Sequence, residues 1–171
     1  GTPSQPDQPD GTETWREAYE ETGAYLQAQT APTAGSIGGE WAVIGLSRAG
    51  LLSDETAQSY EQTVEDYVKQ AGSVRLHHAK STENSRTILG LTAAGYNAAN
   101  VAGVDLTAGL TDMAYLRAQG TNGPIWALIA LDCHGYDIPQ CADGEEQTTR
   151  EGLVAEILSY QCSDGGWALM G

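Results

Sequence analysis

The feature that most constrains this chain is a short apolar segment that occurs four times. The copies are WAVIGLSRAGL from Trp41, RTILGLTAAGY from Arg86, WALIALDCHGY from Trp126 and WALMG from Trp167. Their starts are 45, 40 and 41 residues apart. A nearly constant period of this length is typical of repeated supersecondary units, which bury their apolar faces against one another.

Each complete copy ends in a glycine followed by an apolar or aromatic residue. Gly50, Gly95 and Gly135 can adopt the left-handed conformation that closes a helix, which predicts three helix stops. A second segment, ending in glutamine, precedes each copy. These glutamines are Gln29, Gln70, Gln119 and Gln161. Each repeat is therefore predicted to be a helix, a glycine-containing turn and a second helix.

Capping residues predict where the glutamine-ended helices begin. The signals are Thr14 with Glu17, Ser53, Asp105, and Thr148 with Glu151. Together with the helix stops, these signals predict about eight helices and no strand, which is an all-α fold. The first helix of each pair is amphipathic and the second is apolar on nearly all sides. We therefore expect polar helices outside and apolar helices inside.

Charge and composition exclude several classes of partner. The net charge is −15, from 8 basic and 23 acidic residues, which excludes nucleic acid and anionic lipid as partners. The longest apolar run, residues 125–131, is too short for membrane insertion. Residues 1–12, rich in Pro and Asp, are predicted to be a disordered leader or linker. Residues 13–171 are predicted to be one repeat domain.

The cysteines and histidines do not form a recognisable metal-binding pattern. Cys133, Cys141 and Cys162 cannot all pair within one chain, and we expect buried free thiols, with a Cys133–Cys141 bridge left open. The run Asp132-Cys133-His134 places consecutive side chains about 100° apart on a helix, so they cannot readily converge on one ion. The sequence therefore predicts no metal and no cofactor.

One basic cluster stands out in this acidic sequence. It contains Arg75, His77, His78 and Lys80. A solvated loop is the favoured interpretation. Binding of an anionic ligand group and pairing with an acidic neighbour remain as alternatives.

The spacing from glutamine to tryptophan resembles the repeated Gln–Trp motif of the terpenoid cyclase and protein prenyltransferase superfamily. The segment from Gln161 to Trp167, with Gly166 before the tryptophan, resembles it closely. The segment from Gln119 to Trp126 is a variant of the same motif. This resemblance extends over roughly residues 13–171.

The two earlier repeats depart from the motif. Gln29 and Trp41 are separated by a longer turn. Gln70 is followed by a long insertion, and Arg86 stands where the motif has tryptophan.

The resemblance implies an α/α toroid, in which inner helices surround a central cavity and outer helices alternate with them. It also implies that the motif residues are structural, with glutamine capping a helix end and the aromatic ring packing against it. A complete toroid has about six such hairpins, and this sequence supplies about 3.5 to 4. We therefore expect a partial toroid that is truncated or continues elsewhere.

The catalytic motifs of that superfamily do not occur in this sequence. It has no Asp-x-Asp-Asp run, no Asp-Asp-x-x-Asp cluster, no prenyltransferase zinc ligands and no thioester motif. A Gly-x-Ser-x-Gly nucleophile elbow does not occur either. We therefore assign no catalytic residue, and whether the whole protein is an enzyme stays open.

These observations favour a non-catalytic binding or interaction module of an exported or cell-surface bacterial protein. Its partner would be a small molecule or another protein. One alternative is an isoprenoid-processing enzyme whose catalytic motif lies outside this fragment. Others are a corrinoid-binding protein similar to transcobalamin and a purely architectural spacer.

The starts of the inner helices are the predicted ligand site, because their free N–H groups point out at the same end of each hairpin. The residues there are Glu40, Asn84, Arg86 and Asn122.

An open array of repeats also exposes an apolar flank. We expect a homodimer, a domain swap or further C-terminal repeats to cover it.

Overall fold

The computed structural model describes residues 11–29 and 31–170, and this part of the chain is all-helical, as expected. It contains seven α-helices, one 3-10 helix and no strand. The α-helices are α1 (Gly11–Gln29), α2 (Ile37–Arg48), α3 (Asp54–Ala71), α4 (Thr82–Ala93), α5 (Met113–Arg117), α6 (Asn122–Asp132) and α7 (Arg150–Ser159). The 3-10 helix (Leu106–Leu110) precedes α5.

The predicted leader lies almost entirely outside the described residues, which begin with α1 at Gly11. No described helix combines the length and the apolar character needed to cross a bilayer.

The three predicted glycine stops are confirmed. Gly50, Gly95 and Gly135 have φ values of 70°, 88° and 64°. The amide after each glycine donates to the carbonyl five residues earlier, at 2.8 Å or 2.9 Å. These bonds join Leu51 to Leu46, Tyr96 to Leu91 and Tyr136 to Leu131. Each of α2, α4 and α6 therefore ends in the same hydrogen-bonded turn.

Two predicted helix starts are confirmed as caps. The hydroxyl of Ser53 accepts a hydrogen bond from the Thr56 amide at the start of α3. Asp105 accepts from the Thr107 amide in the same way, but the element that it starts is the short 3-10 helix. A second cap at Asp112 then begins α5, so the single helix expected here is divided in two.

The other two predicted starts are wrong, that of α1 by several residues and that of α7 by one. Thr14 lies inside α1, because that helix already begins at Gly11. The cap of α7 is Thr149, whose hydroxyl accepts from the Gly152 amide at 3.0 Å. The neighbouring Thr148 is instead buried.

The centre of the molecule is a row of three helices. Helix α2 packs against α4, α4 packs against α6, and α7 packs against the far side of α6. Fully buried side chains join this row to α3 in one core. They include Val43, Tyr60, Val64, Ile88, Leu91, Leu131 and Leu153. The tight fit needs glycine at position 90, where a Cβ would lie 2.4 Å from the Tyr60 hydroxyl.

All three cysteines are free thiols. The expectation of burial is wrong: Cys141 is half-buried, and Cys133 and Cys162 are exposed. The reason for the two exposed thiols is their position: Cys133 follows the last residue of α6, and Cys162 lies in the turn after α7. Both sit at helix ends and not on the packed faces.

Candidate functional site

A cleft of about 210 Å³ lies where the first turns of α2, α4 and α6 come together. Its lining residues are Trp41, Thr82, Arg86, Gln119, Asn122 and Trp126. The rings of Trp41 and Trp126 meet edge to face, with centroids 5.4 Å apart and planes at 63°. Trp41, Arg86 and Trp126 are the first residues of three aligned repeat copies. These three equivalent positions of the aligned segments thus line one cleft.

Arg86 is held by two carboxylates on either side of its guanidinium group. Its Nε donates to Glu40 Oε2 at 3.3 Å, and its Nη2 donates to Glu83 Oε2 at 2.8 Å. The Arg86 side chain is 13% exposed, and that of Glu40 is fully buried. Glu40 Oε1 also accepts from the Gly35 amide at 2.7 Å. A buried carboxylate is costly without a partner, so Arg86 supplies the charge that Glu40 needs.

Two tyrosines of α3 lie close to this ion cluster. Burial, reinforced by the negative charge of Glu40, raises the pKa of Tyr60 well above its ordinary value. Burial also raises the pKa of Tyr67, with a further contribution from Glu83. The Tyr60 hydroxyl is buried and finds no hydrogen-bond partner in the described part of the chain. Both phenols therefore favour their neutral form.

Gln119 closes one side of the cleft by capping the preceding central helix. Its Oε1 accepts from the Thr82 amide at 2.9 Å and from the Ser81 hydroxyl at 3.3 Å. Its Nε2 donates to the Thr82 hydroxyl at 3.1 Å. Gln119 thus satisfies an N–H group at the start of α4 that has no partner within the helix.

The last Gln–Trp segment forms a tight turn of its own. Gln161 and Trp167 pair in an antiparallel bridge, and the Cys162 amide donates to the Gly166 carbonyl at 2.8 Å. The indole N–H of Trp167 donates to the Ile157 carbonyl in the last turn of α7, at 2.9 Å. Gln161 is itself exposed, as are Gln29 and Gln70 of the two earlier segments.

The four residues predicted to bind a ligand are not all in the cleft. Arg86 and Asn122 line it, and Glu40 lies buried beside Arg86. Asn84 does not line it. Trp41 and Trp126, which the Gln–Trp resemblance implies are structural, also line the cleft. Their equivalent positions with Arg86 in the aligned segments are the sequence feature that indicates the cleft.

Asn84 is a buried structural residue. Its Nδ2 donates to the carbonyls of Val74 at 2.6 Å and Leu106 at 3.0 Å. Its Oδ1 accepts from the Leu76 amide at 2.9 Å. These bonds hold the segment before α4 and the 3-10 helix against α4, so the Asn84 side chain is occupied by the fold.

The basic cluster of the 71–81 segment is partly engaged within the chain. Arg75 Nη2 lies 3.1 Å from Asp112 Oδ2 and 2.6 Å from Glu145 Oε1. The Arg75 guanidinium also lies 4.4 Å from the centre of the Tyr115 ring. The rings of His77 and His78 stack with centroids 4.5 Å apart. Arg75 therefore pairs with acidic neighbours, which was one of the alternatives for this basic cluster.

The Asp132-Cys133-His134 run forms a helix end. Asp132 Oδ1 accepts from Arg150 Nε at 2.7 Å, and Arg150 Nη2 donates to the carbonyls of Leu131 and Tyr136 at 3.2 Å and 2.8 Å. Arg150 thus caps the C-terminus of α6 with a positive charge, where the helix dipole favours one. Among the described residues, no three potential metal ligands come together here or elsewhere.

Comparison with known proteins gives no match. No family model matches the chain, and neither a curated protein nor a solved structure shows significant similarity to it.

Proposed function

We propose that this chain is a non-catalytic binding module whose ligand occupies the cleft between Trp41 and Trp126. The observation that carries this proposal is the pair of indole rings in an open cleft, at equivalent positions of two aligned segments. Trp41 is 42% exposed although it belongs to a central helix. A tryptophan that serves only for packing stabilises the fold most when it is fully buried. A partly exposed tryptophan offers apolar surface and an N–H donor to a ligand.

The chemistry of the ion cluster favours binding over catalysis. Glu40 and Glu83 both accept hydrogen bonds from Arg86, and Glu40 also accepts from a backbone amide. These carboxylates are therefore engaged in holding Arg86 in place. A rigid, paired arginine positions donors for a ligand, which is what a binding site requires.

The size of the cleft favours a small ligand. Pockets for drug-sized molecules and cofactors usually enclose about 300–1,000 Å³. The volume of about 210 Å³ lies below that range. This argues for a small ligand group over a corrinoid.

We further propose that the helices belong to an α/α toroid, as the Gln–Trp resemblance implies. The contacts of α2 with α4 and of α4 with α6 support this arrangement, as does the insertion of Tyr60 from α3 against Gly90 of α4. In this arrangement the cleft would open at one end of the inner helices. The strongly acidic composition suits a location outside the cell.

The binding proposal is tested with a library of small compounds that includes isoprenoids and cobamides. Indole N–H signals of Trp41 and Trp126 are followed by NMR during titration. We expect W41A and W126A to weaken binding of any hit about tenfold or more, since central aromatic residues dominate binding energy. The matched control is W15A, because Trp15 on α1 is 55% exposed and is not part of the cleft lining. Hits that bind W41A and W126A as tightly as the unmodified chain would contradict the proposal.

A further inference from the structure

The charges around the cleft disfavour an ionic ligand. Arg86 is matched by two carboxylates, Glu40 and Glu83, so this cluster carries a formal charge of about −1. The chain as a whole carries −15. An anion would therefore be repelled on approach. A cation would meet the guanidinium group of Arg86, which lines the cleft.

The lining of the cleft combines aromatic rings with polar side chains. The indoles of Trp41 and Trp126 offer aromatic faces and edges. The two ion pairs of Arg86 use two of the five N–H donors of its guanidinium group. Asn122 is exposed and offers both an amide donor and a carbonyl acceptor. Thr82 adds a hydroxyl to the lining.

A ligand that fits these surfaces has one apolar face and a rim of groups that donate and accept hydrogen bonds. A saccharide ring has this combination, with C–H groups on one face and hydroxyl groups around its edge. The cleft is too small for several sugar rings. Because Trp41 is partly exposed, the rest of a glycan could extend from the bound ring into solvent. A single sugar unit at the end of a glycan would fit this shape.

We infer that the cleft between Trp41 and Trp126 recognises a neutral saccharide unit, by packing of its C–H face on an indole and by hydrogen bonds from Arg86 and Asn122. This inference rests on the proposed binding function and names its ligand class.

The test is a titration of the full chain with a panel of neutral methyl glycosides, followed by NMR of the indole N–H signals. Three probes of other classes are run beside them: cyclohexanol, benzoate and tetramethylammonium. We expect glycosides alone to shift the signals of Trp41 and Trp126. We expect W41A and N122A to weaken glycoside binding about tenfold, and W15A to leave it unchanged. Since the ligand is neutral, Kd should change less than about twofold between roughly 0.05 M and 0.5 M salt.

The possible outcomes separate this inference from the proposed function. If one of the other probes shifts the cleft signals and the glycosides do not, the saccharide inference fails and the binding function stands. If neither the glycosides, the probes nor the small-compound library shifts these signals, both fail. Glycoside binding that persists in W41A and N122A would place the ligand elsewhere and overturn the inference.

Discussion

Polar residues near the starts of the central helices divide into those that the fold uses and those that face the cleft. Asn84 and Asn122 show the difference, since both were predicted from their positions as ligand residues. Asn84 is buried with three hydrogen bonds to backbone groups, whereas Asn122 is exposed and lines the cleft. The sequence could place both near helix starts. It could not tell them apart, because the partners of Asn84 include Leu106, which lies 22 residues away.

Replacing Gly90 with alanine should destabilise the protein. The new Cβ would lie 2.4 Å from the Tyr60 hydroxyl in a packed core, and such overpacking costs about 1–3 kcal/mol. The matched control is G45A on α2, where a Cβ meets no atom within 4 Å. Alanine there should stabilise the helix by up to about 1 kcal/mol. Urea unfolding followed by far-UV circular dichroism measures both. Equal effects of G90A and G45A on stability would show that the contact with Tyr60 does not destabilise G90A.

The stability of the protein should fall above about pH 10. The pKa of Tyr60 is raised in the folded chain, so the stabilisation is complete below the ordinary pKa of tyrosine, near 10. Above that pH the unfolded chain loses a proton that the folded chain keeps, which costs up to about 1.4 kcal/mol per pH unit.

Urea unfolding at several pH values between about 9 and 11 measures this slope. Y60F should reduce it, and Y25F should not, since Tyr25 is 64% exposed. An unchanged slope in Y60F would assign the effect to other groups.

Helix ends differ in how far they can be predicted from local sequence. The three glycine stops follow from neighbouring residues alone, and all three were predicted correctly. The division between the 3-10 helix and α5 depends on Asp112. This carboxylate pairs with Arg75, 37 residues earlier, and accepts from the Glu146 amide, 34 residues later. Such distant partners leave no local pattern, so this helix boundary could not be predicted.

Replacing Gly135 at the end of α6 should separate the effect of backbone conformation from that of packing. A Cβ at this position meets no atom within 4 Å, so the cost of G135A comes only from φ of 64°. We expect a loss of about 1 kcal/mol for G135A, and a smaller loss for G135N, because asparagine tolerates the left-handed region better than alanine does. Thermal unfolding of both variants measures the difference. A larger loss in G135N than in G135A would contradict this explanation.

The described helices leave an apolar strip open to solvent on α6 and α7. Ile129, Val154 and Leu158 are 44%, 45% and 55% exposed. The homodimer expected to cover such a strip stays a prediction. The same two helices also contribute Leu131 and Leu153, which are fully buried. Helix α7 therefore has one face that stabilises the molecule and another that does not.

Two leucines of α7 should show this contrast. L153A removes a fully buried side chain and should cost about 2–5 kcal/mol. L158A removes an exposed one and should change stability by less than about 0.5 kcal/mol. Urea unfolding of the two variants gives their free energies of unfolding, which can be compared directly because both residues lie in α7. A large cost for L158A in dilute solution would mean that this residue is covered.

The cap that Gln119 places on α4 has a consequence for synthesis of the chain. The Thr82 amide finds its acceptor 37 residues further along. At about 5–20 residues per second, a ribosome needs roughly 2–7 s to add that stretch. During this interval the newly made α4 lacks the residue that secures its first turn. The first turn of α4 is thus completed only when the chain has been translated as far as Gln119.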